Sequence, residues 1–171
     1  VRFTLGITPA YALGPYEGAL RTAILTMKEG QRDPLDAFAA LLDRVAIEAT
    51  LVPVPTSRGR AAQRGFDQAT QLVRRVARRR DLASAELLRK HGRPQEGRGR
   101  QARLAAAGRF SLRRGAVLPP AAVLLDDVCT TGATLVDAAA TLRGAGVRIA
   151  GFIVLARAGG TPADGPRSWR T

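Results

Sequence analysis

The sequence predicts an α/β fold with a mostly parallel central sheet, helices on both faces and one mobile lid loop. Three observations predict it. Apolar runs of strand length alternate along the chain with stretches of helical spacing, the pattern of a parallel sheet with crossover helices. Residues 122–134, Ala-Val-Leu-Leu-Asp-Asp-Val-Cys-Thr-Thr-Gly-Ala-Thr, join a buried strand to a helix through a hydroxyl- and glycine-rich turn. His91 to Ala107 is rich in Gly, Arg, Gln and Ala and lacks periodicity, as long loops tied to function or disorder do.

Taken in order, Tyr16 to Lys28 carries Ala19, Leu20, Ala23, Ile24 and Met27 at helical spacing, with Pro15 suited to its first turn. Asp33 is expected to cap a second helix that starts with Pro34 and runs to about Ala49. Leu51 to Val54 reads as a short strand between prolines, followed by a loop from Thr56 to Phe66. Asp67 is expected to cap a helix through about Arg80 with Ala69, Leu72, Val73 and Val76 on its apolar face. Glu86 to Leu88 and Arg109 to Leu112 read as short strands flanking the lid. After Pro119-Pro120 come the strand at Ala122 and a helix from Ala133 to Arg143, ended by Gly144 and Gly146. Val147 to Leu155 is the last strand, and residues 158–171 read as a frayed tail. No internal repeat is visible.

The chain of 171 residues fits one domain, 1–171. No apolar run approaches the about 18 residues of a membrane-spanning helix, and no secretory signal is legible. The first residue is Val1 and the only methionine is Met27, so a natural N-terminus upstream is expected. One cysteine excludes an internal disulfide and fits a cytoplasmic location. The net charge is +13, which points to a polyanionic partner, nucleic acid or a polyphosphate ligand. Lys28 and Lys90 are the only lysines, a preference for Arg that coding bias explains, although bias does not explain the excess of base over acid. Aromatics are only 5%, too few for a base-stacking platform.

The chemistry concentrates at residues 126–134. Asp126 and Asp127 stand at the C-terminal end of a strand, where open α/β sheets place their ligands. A turn entering a helix offers amides and a positive dipole end to an anion, and the hydroxyls of Thr130, Thr131 and Thr134 add donors. The carboxylates repel that anion but accept hydrogen bonds from a diol. Phosphate donors beside diol acceptors describe a 5-phosphoribosyl group.

Four hydrophobic residues, two acids, two variable positions and Thr-Gly-x-Thr resemble the 5-phosphoribosyl-1-pyrophosphate (PRPP) motif of type I phosphoribosyltransferases. The resemblance implies that Asp126 and Asp127 hold ribose hydroxyls and that Thr130, Thr131, Gly132, Ala133 and Thr134 hold the 5′-phosphate. It also implies Mg²⁺ bound with PRPP near Asp126 and Asp127, bridging pyrophosphate and ribose rather than held by the protein directly.

A second segment, Pro53-Val-Pro-Thr-Ser-Arg-Gly-Arg-Ala-Ala-Gln-Arg-Gly-Phe-Asp-Gln68, puts Arg58, Arg60 and Arg64 in a loop after a strand, a cationic cradle of the kind a pyrophosphate needs. With Tyr16-Glu-Gly and Lys28-Glu-Gly, it is similar to the ComF family, a branch of that fold linked to natural competence and DNA uptake. The similarity covers residues 15–157, the expected core; the family's N-terminal zinc knuckle is not found within these 171 residues, either truncated with the missing N-terminus or lost. Asp67 stands where the family has Asn, and Ala102 and Ala106 replace its usual Glu and Asn in the central loop, where Arg100 and Arg103 match.

The resemblance implies PRPP or a related ribose phosphate as ligand, with single-stranded DNA and competence proteins as partners; a homo-oligomer is left open. Arg60 and Arg64 would stabilise the leaving group, and Arg100 and Arg103 would close over it as catalytic partners of Asp126 and Asp127. One alternative is an active phosphoribosyltransferase of nucleotide metabolism with an unidentified acceptor. Another is a PRPP-sensing regulator, ranked below because no helix-turn-helix is visible. Purine salvage is disfavoured, since Val128-Cys129-Thr130 offers no carboxylate base. Cys129 reads as a packed side chain, His91 as a solvated lid residue and Lys28 as a helix C-terminal cation.

Overall fold

A computed structural model of the chain describes residues 1–56, 67–91 and 109–159. Its elements are β1 (Arg2–Leu5), β2 (Thr8–Pro15), α1 (Gly18–Lys28), α2 (Asp33–Leu41), β3 (Thr50–Pro53), α3 (Gln68–Arg80), β4 (Leu88–Lys90), β5 (Phe110–Leu112), β6 (Ala121–Cys129), α4 (Ala133–Gly144) and β7 (Arg148–Arg157). The main sheet has five strands in the order β1-β2-β7-β6-β3, parallel except for the β1–β2 pair. β4 and β5 form a separate antiparallel pair. The mostly parallel sheet expected from the sequence is therefore present.

Alternation along β6 sorts the core into two layers. Ala122 and Leu124 face the cluster that holds Leu135, Ala138, Ala139 and Leu142 of α4 together with Leu88 and Phe110 of the β4–β5 pair. Val123 and Leu125 face Ile24 and Met27 of α1, Leu35 and Phe38 of α2, and Leu72, Val73 and Val76 of α3. Helices thus cover both faces. Leu124 and Leu125 are fully buried, worth about 1.5–3 kcal/mol each by area. In β7 the register slips between Ala122/Ile149 and Val123/Gly151, and this bulge lets Ile149 and Phe152, three residues apart, reach the same layer.

The core begins earlier than residue 15. β1 and β2 extend the sheet, β2 pairing with β7 from Ala10↔Phe152 to Pro15↔Arg157, and Phe3, Ala10 and Ala12 are buried. α2 is shorter than expected. Asp33 is its first residue rather than its cap, and no side chain caps it, although Asp33 and Asp36 place negative charge in the first turn. The helix tightens into a 3-10 turn at Leu42–Arg44. Beyond it, Val45 and Ile47 are buried two residues apart, a spacing of extended chain.

Helix α3 matches its expectation. Asp67 Oδ1 accepts from the Thr70 amide at 2.9 Å, and Oδ2 accepts from the Thr56 amide at 2.7 Å, so one carboxylate caps the helix and pins the chain leaving β3. The solvent side of α3 is stapled outward. Arg75 pairs with Asp36 at 2.9 Å, Arg79 with Asp43 at 2.7 Å, and Arg80 donates to the Val45 carbonyl at 2.7 Å.

Candidate functional site

Strand β6 outlasts its apolar run. After Leu125 it continues through Asp126 and Asp127 to Cys129, pairing Asp126 with Val154 and Cys129 with Arg157 of β7. Both carboxylates are partly buried and line a crevice of about 170 Å³ with Val54, Thr56, Gln68 and Thr134. Strand ends, the start of α3 and the start of α4 thus meet at one place.

The two acids differ electrostatically. Asp127 accepts its own ion pair, with Lys28 Nζ at 2.9 Å, and Oδ1 accepts from the Val128 amide at 2.7 Å. Asp126 Oδ1 accepts from the Asp127 amide at 2.8 Å. Burial, and then the neighbouring Asp127 charge, push the Asp126 carboxyl up to about 7; the amide bond and the Lys90 and Lys28 charges pull the other way without winning. The floor therefore holds one carboxylate paired with Lys28 and one whose carboxyl burial pushes up to about 7.

The turn after β6 is fixed by glycine. Gly132 has φ +78° and caps α4, and a Cβ there would lie 2.6 Å from Leu5 Cδ2. The first amides of a helix lack intrahelical acceptors. Here the Ala133 amide leans on Thr131 Oγ1 at 3.4 Å, and the regular ladder starts with Val136 N–H donating to Gly132 O at 2.9 Å. Thr130, Thr131 and Ala133 are exposed, and Thr134 reaches the crevice. A strand end with acids followed by this turn suits a ligand that is a diol at one end and an anion at the other.

Asp126, Asp127 and Thr134 are thus brought to one crevice, with Thr130, Thr131, Gly132 and Ala133 on the adjoining turn. Arg58, Arg60, Arg64, Arg100 and Arg103 lie outside the described residues, as do most of the lid and the tail from residue 160. Cys129 is buried and its thiol is pushed up by that burial, which fits a packed side chain rather than a nucleophile. His91 closes the β4–β5 ladder: its amide donates to the Arg109 carbonyl at 2.9 Å and its Nε2 lies 2.8 Å from Ser111 Oγ. It is anchored rather than solvated.

Sequence reasoning missed Lys90, which lines the crevice, and treated Lys28 as a helix cation; Lys28 does occupy the last turn of α1, but its ammonium pairs with Asp127. A signal for both existed. In a chain that otherwise uses Arg for every base, the only two lysines line the same crevice. Lysine supplies a compact point charge where arginine would impose a planar fork.

Carboxylate oxygens are the hard donors that Mg²⁺ takes. Among the described residues no group of three or more acidic, His or Cys side chains is placed to hold a metal. Asp126 and Asp127 supply such oxygens side by side at the crevice. Among the described residues no helix is long and apolar enough to cross a membrane.

No family model and no curated protein matches the chain. Fourteen chains of solved structures do. One is the allosteric regulatory enzyme of purine biosynthesis, at 22% identity and TM-score 0.48, covering 69% of this chain and 24% of that one, so that this chain spans about a quarter of its length. Another is adenine phosphoribosyltransferase from Thermoanaerobacter pseudethanolicus, at 16% identity and TM-score 0.48, over 73% of this chain and 80% of that one. A third is adenine phosphoribosyltransferase from Leishmania tarentolae, at 13% identity and TM-score 0.46, over 92% and 94%. These likenesses assign no role to any residue of this chain.

Proposed function

We propose that the crevice binds the 5-phosphoribosyl group of PRPP or a related ribose phosphate. The observation that supports this reading is the succession Asp126, Asp127, left-handed Gly132 and the α4 N-terminus around one crevice. The carboxylates accept hydrogen bonds from the ribose hydroxyls; residues 130–134 donate to the 5′-phosphate. Mg²⁺ bound with PRPP would sit beside Asp126 and Asp127 and neutralise charge on the pyrophosphate. Arg60 and Arg64 would draw that leaving group, and Arg100 and Arg103 would cover it. Lys28 holds Asp127 in place until the diol arrives.

The resemblance to ComF sequences supports a role in natural competence, with single-stranded DNA and competence proteins as partners in the cytoplasm. Binding without transfer is the favoured form. No carboxylate follows Asp127 until Asp137, and Asp137 is held by Arg109 Nε at 2.6 Å. A base for an acceptor is therefore missing from the turn itself. The alternative, an active phosphoribosyltransferase, requires an acceptor that attacks without a carboxylate base from this turn.

Titration calorimetry with PRPP and Mg²⁺ tests the reading. Saturable binding that disappears in Asp126→Asn/Asp127→Asn upholds it; no binding to the wild-type chain rejects it. Pyrophosphate release with a panel of acceptors separates transferase from binder. Transformation frequency in a deletion strain, complemented by wild type or by the double Asn variant, tests the competence role.

A further inference from the structure

A second cavity adjoins the crevice. It measures about 450 Å³ and shares Pro55, Thr56, Asp67 and Lys90 with it. Its charged wall carries Arg74 from α3, Glu86, Arg89 and Lys90 from the segment around β4, and Arg113 and Arg114 from the end of β5. Glu86 sits between two of these cations. One carboxylate oxygen takes Arg74 Nη2 and the other takes Arg113 Nη1 at 2.7 Å. A single acid thus fixes two guanidiniums and leaves the wall positive. Arg89 and Arg114 have no ion-pair partner among the described residues. Pro53, Pro55 and Leu88 add an apolar share to the lining.

A lining that mixes unpaired cations with apolar side chains suits a small organic oxyanion with an apolar body. An extended polyanion fits less well. A polymer backbone needs a continuous row of free cations, and of the arginines farther along α3 three are engaged, Arg75 with Asp36, Arg79 with Asp43 and Arg80 with the Val45 carbonyl, which leaves Arg78 alone as an exposed cation without an ion pair among the described residues. Aromatic side chains for stacking bases are absent from the described lining.

We propose that this groove is a second ligand site, distinct from the ribose-phosphate crevice, for a small organic phosphate or carboxylate read by Arg89 and Arg114. Arg74 and Arg113, locked by Glu86, supply fixed positive field, and Lys90 joins the two sites. The groove's charge and shape stand independently of what fills the crevice. A co-ligand of this kind would lie next to a bound ribose phosphate, and any acceptor arriving by this route is an anion.

The test is calorimetric titration of the full chain with phenyl phosphate, and separately with benzoate, with and without saturating ribose 5-phosphate. One equivalent should bind in both conditions, and Arg89→Gln/Arg114→Gln should weaken it by about tenfold or more, as loss of charge-assisted bonds does. Both arginines are exposed, so the variant should keep the wild-type melting curve; single substitutions, each with a partial loss, serve if it does not. Preference for phenyl phosphate or for benzoate identifies the oxyanion. Displacement of both probes by ribose 5-phosphate, equal affinity in wild type and variant, or no binding of either probe would overturn the proposal. So would tighter binding of a twelve-nucleotide single strand through the same two arginines. If ribose 5-phosphate itself gives no heat, the crevice reading fails while the groove titration still reads.

Discussion

On α3, Arg75 and Arg79 face Asp36 and Asp43 and Arg80 reaches a backbone carbonyl, so each cation completes a link between that helix and the segment before β3. In the crevice the arrangement is reversed. Asp126 and Asp127 lie side by side, one lysine offsets one of them, and the other acid stays unpaired and desolvated. Helix α3 uses charge to hold elements together, whereas the crevice keeps an unfavourable acid pair that a proton or a ligand would relieve. A net charge of +13 consequently overstates the positive surface open to a partner.

The largest expected effect comes from the crevice. Asp126→Asn/Asp127→Asn should reduce ribose-phosphate binding by about a hundredfold or more, because two charge-assisted acceptors are lost. Its melting temperature should hold steady or rise, since Asn at 126 removes a carboxylate whose ionised form burial disfavours. A marked fall in melting temperature would mean that the acids, like the α3 arginines, are structural. Next comes Gly132→Ala. The left-handed backbone and the 2.6 Å approach to Leu5 should cost about 1–3 kcal/mol in urea unfolding and weaken phosphate binding. Adding Leu5→Ala should recover the steric part alone.

A pH series sharpens the comparison further. The Asp126 carboxyl is raised from 3.8 to about 7, so between these values the folded chain holds a proton that the unfolded chain has released. Stability from this group is full below about 3.8 and falls as pH rises through about 7. Unfolding of wild type and Asp126→Asn across that window should show the slope in wild type only, while ribose-phosphate binding strengthens as the acid ionises. The smallest effect belongs to α3. Arg75→Ala should cost at most about 1 kcal/mol, less in high salt, as exposed pairs do. A larger loss would make this staple a principal support of the fold.

Local pattern made much of this visible in advance. The Asp67 cap, the apolar face of α3 and the strand–turn–helix at 122–134 are written within single stretches of sequence. The first two strands are not. Thr8 to Pro15 reads Thr-Pro-Ala-Tyr-Ala-Leu-Gly-Pro, with little strand propensity, and it is held by pairing with a β7 that lies far along the chain. The end of α2 is hard to place from sequence because Val45 follows Leu41 and Leu42 at helical spacing, and only the step from Val45 to Ile47 departs from it. Both lysines of the crevice were countable in the sequence. That they converge required the fold, because one ends α1 and the other ends β4.

Gly132 meets Leu5, so the N-terminal hairpin forms the back wall of the turn expected to grip phosphate. A molecule that tightens that turn presses on a side chain from the opposite end of the sequence. Slower amide exchange at Phe3 to Leu5 would then report occupancy from a distance, and the bulk tolerated at position 5 sets how tightly the turn can shut.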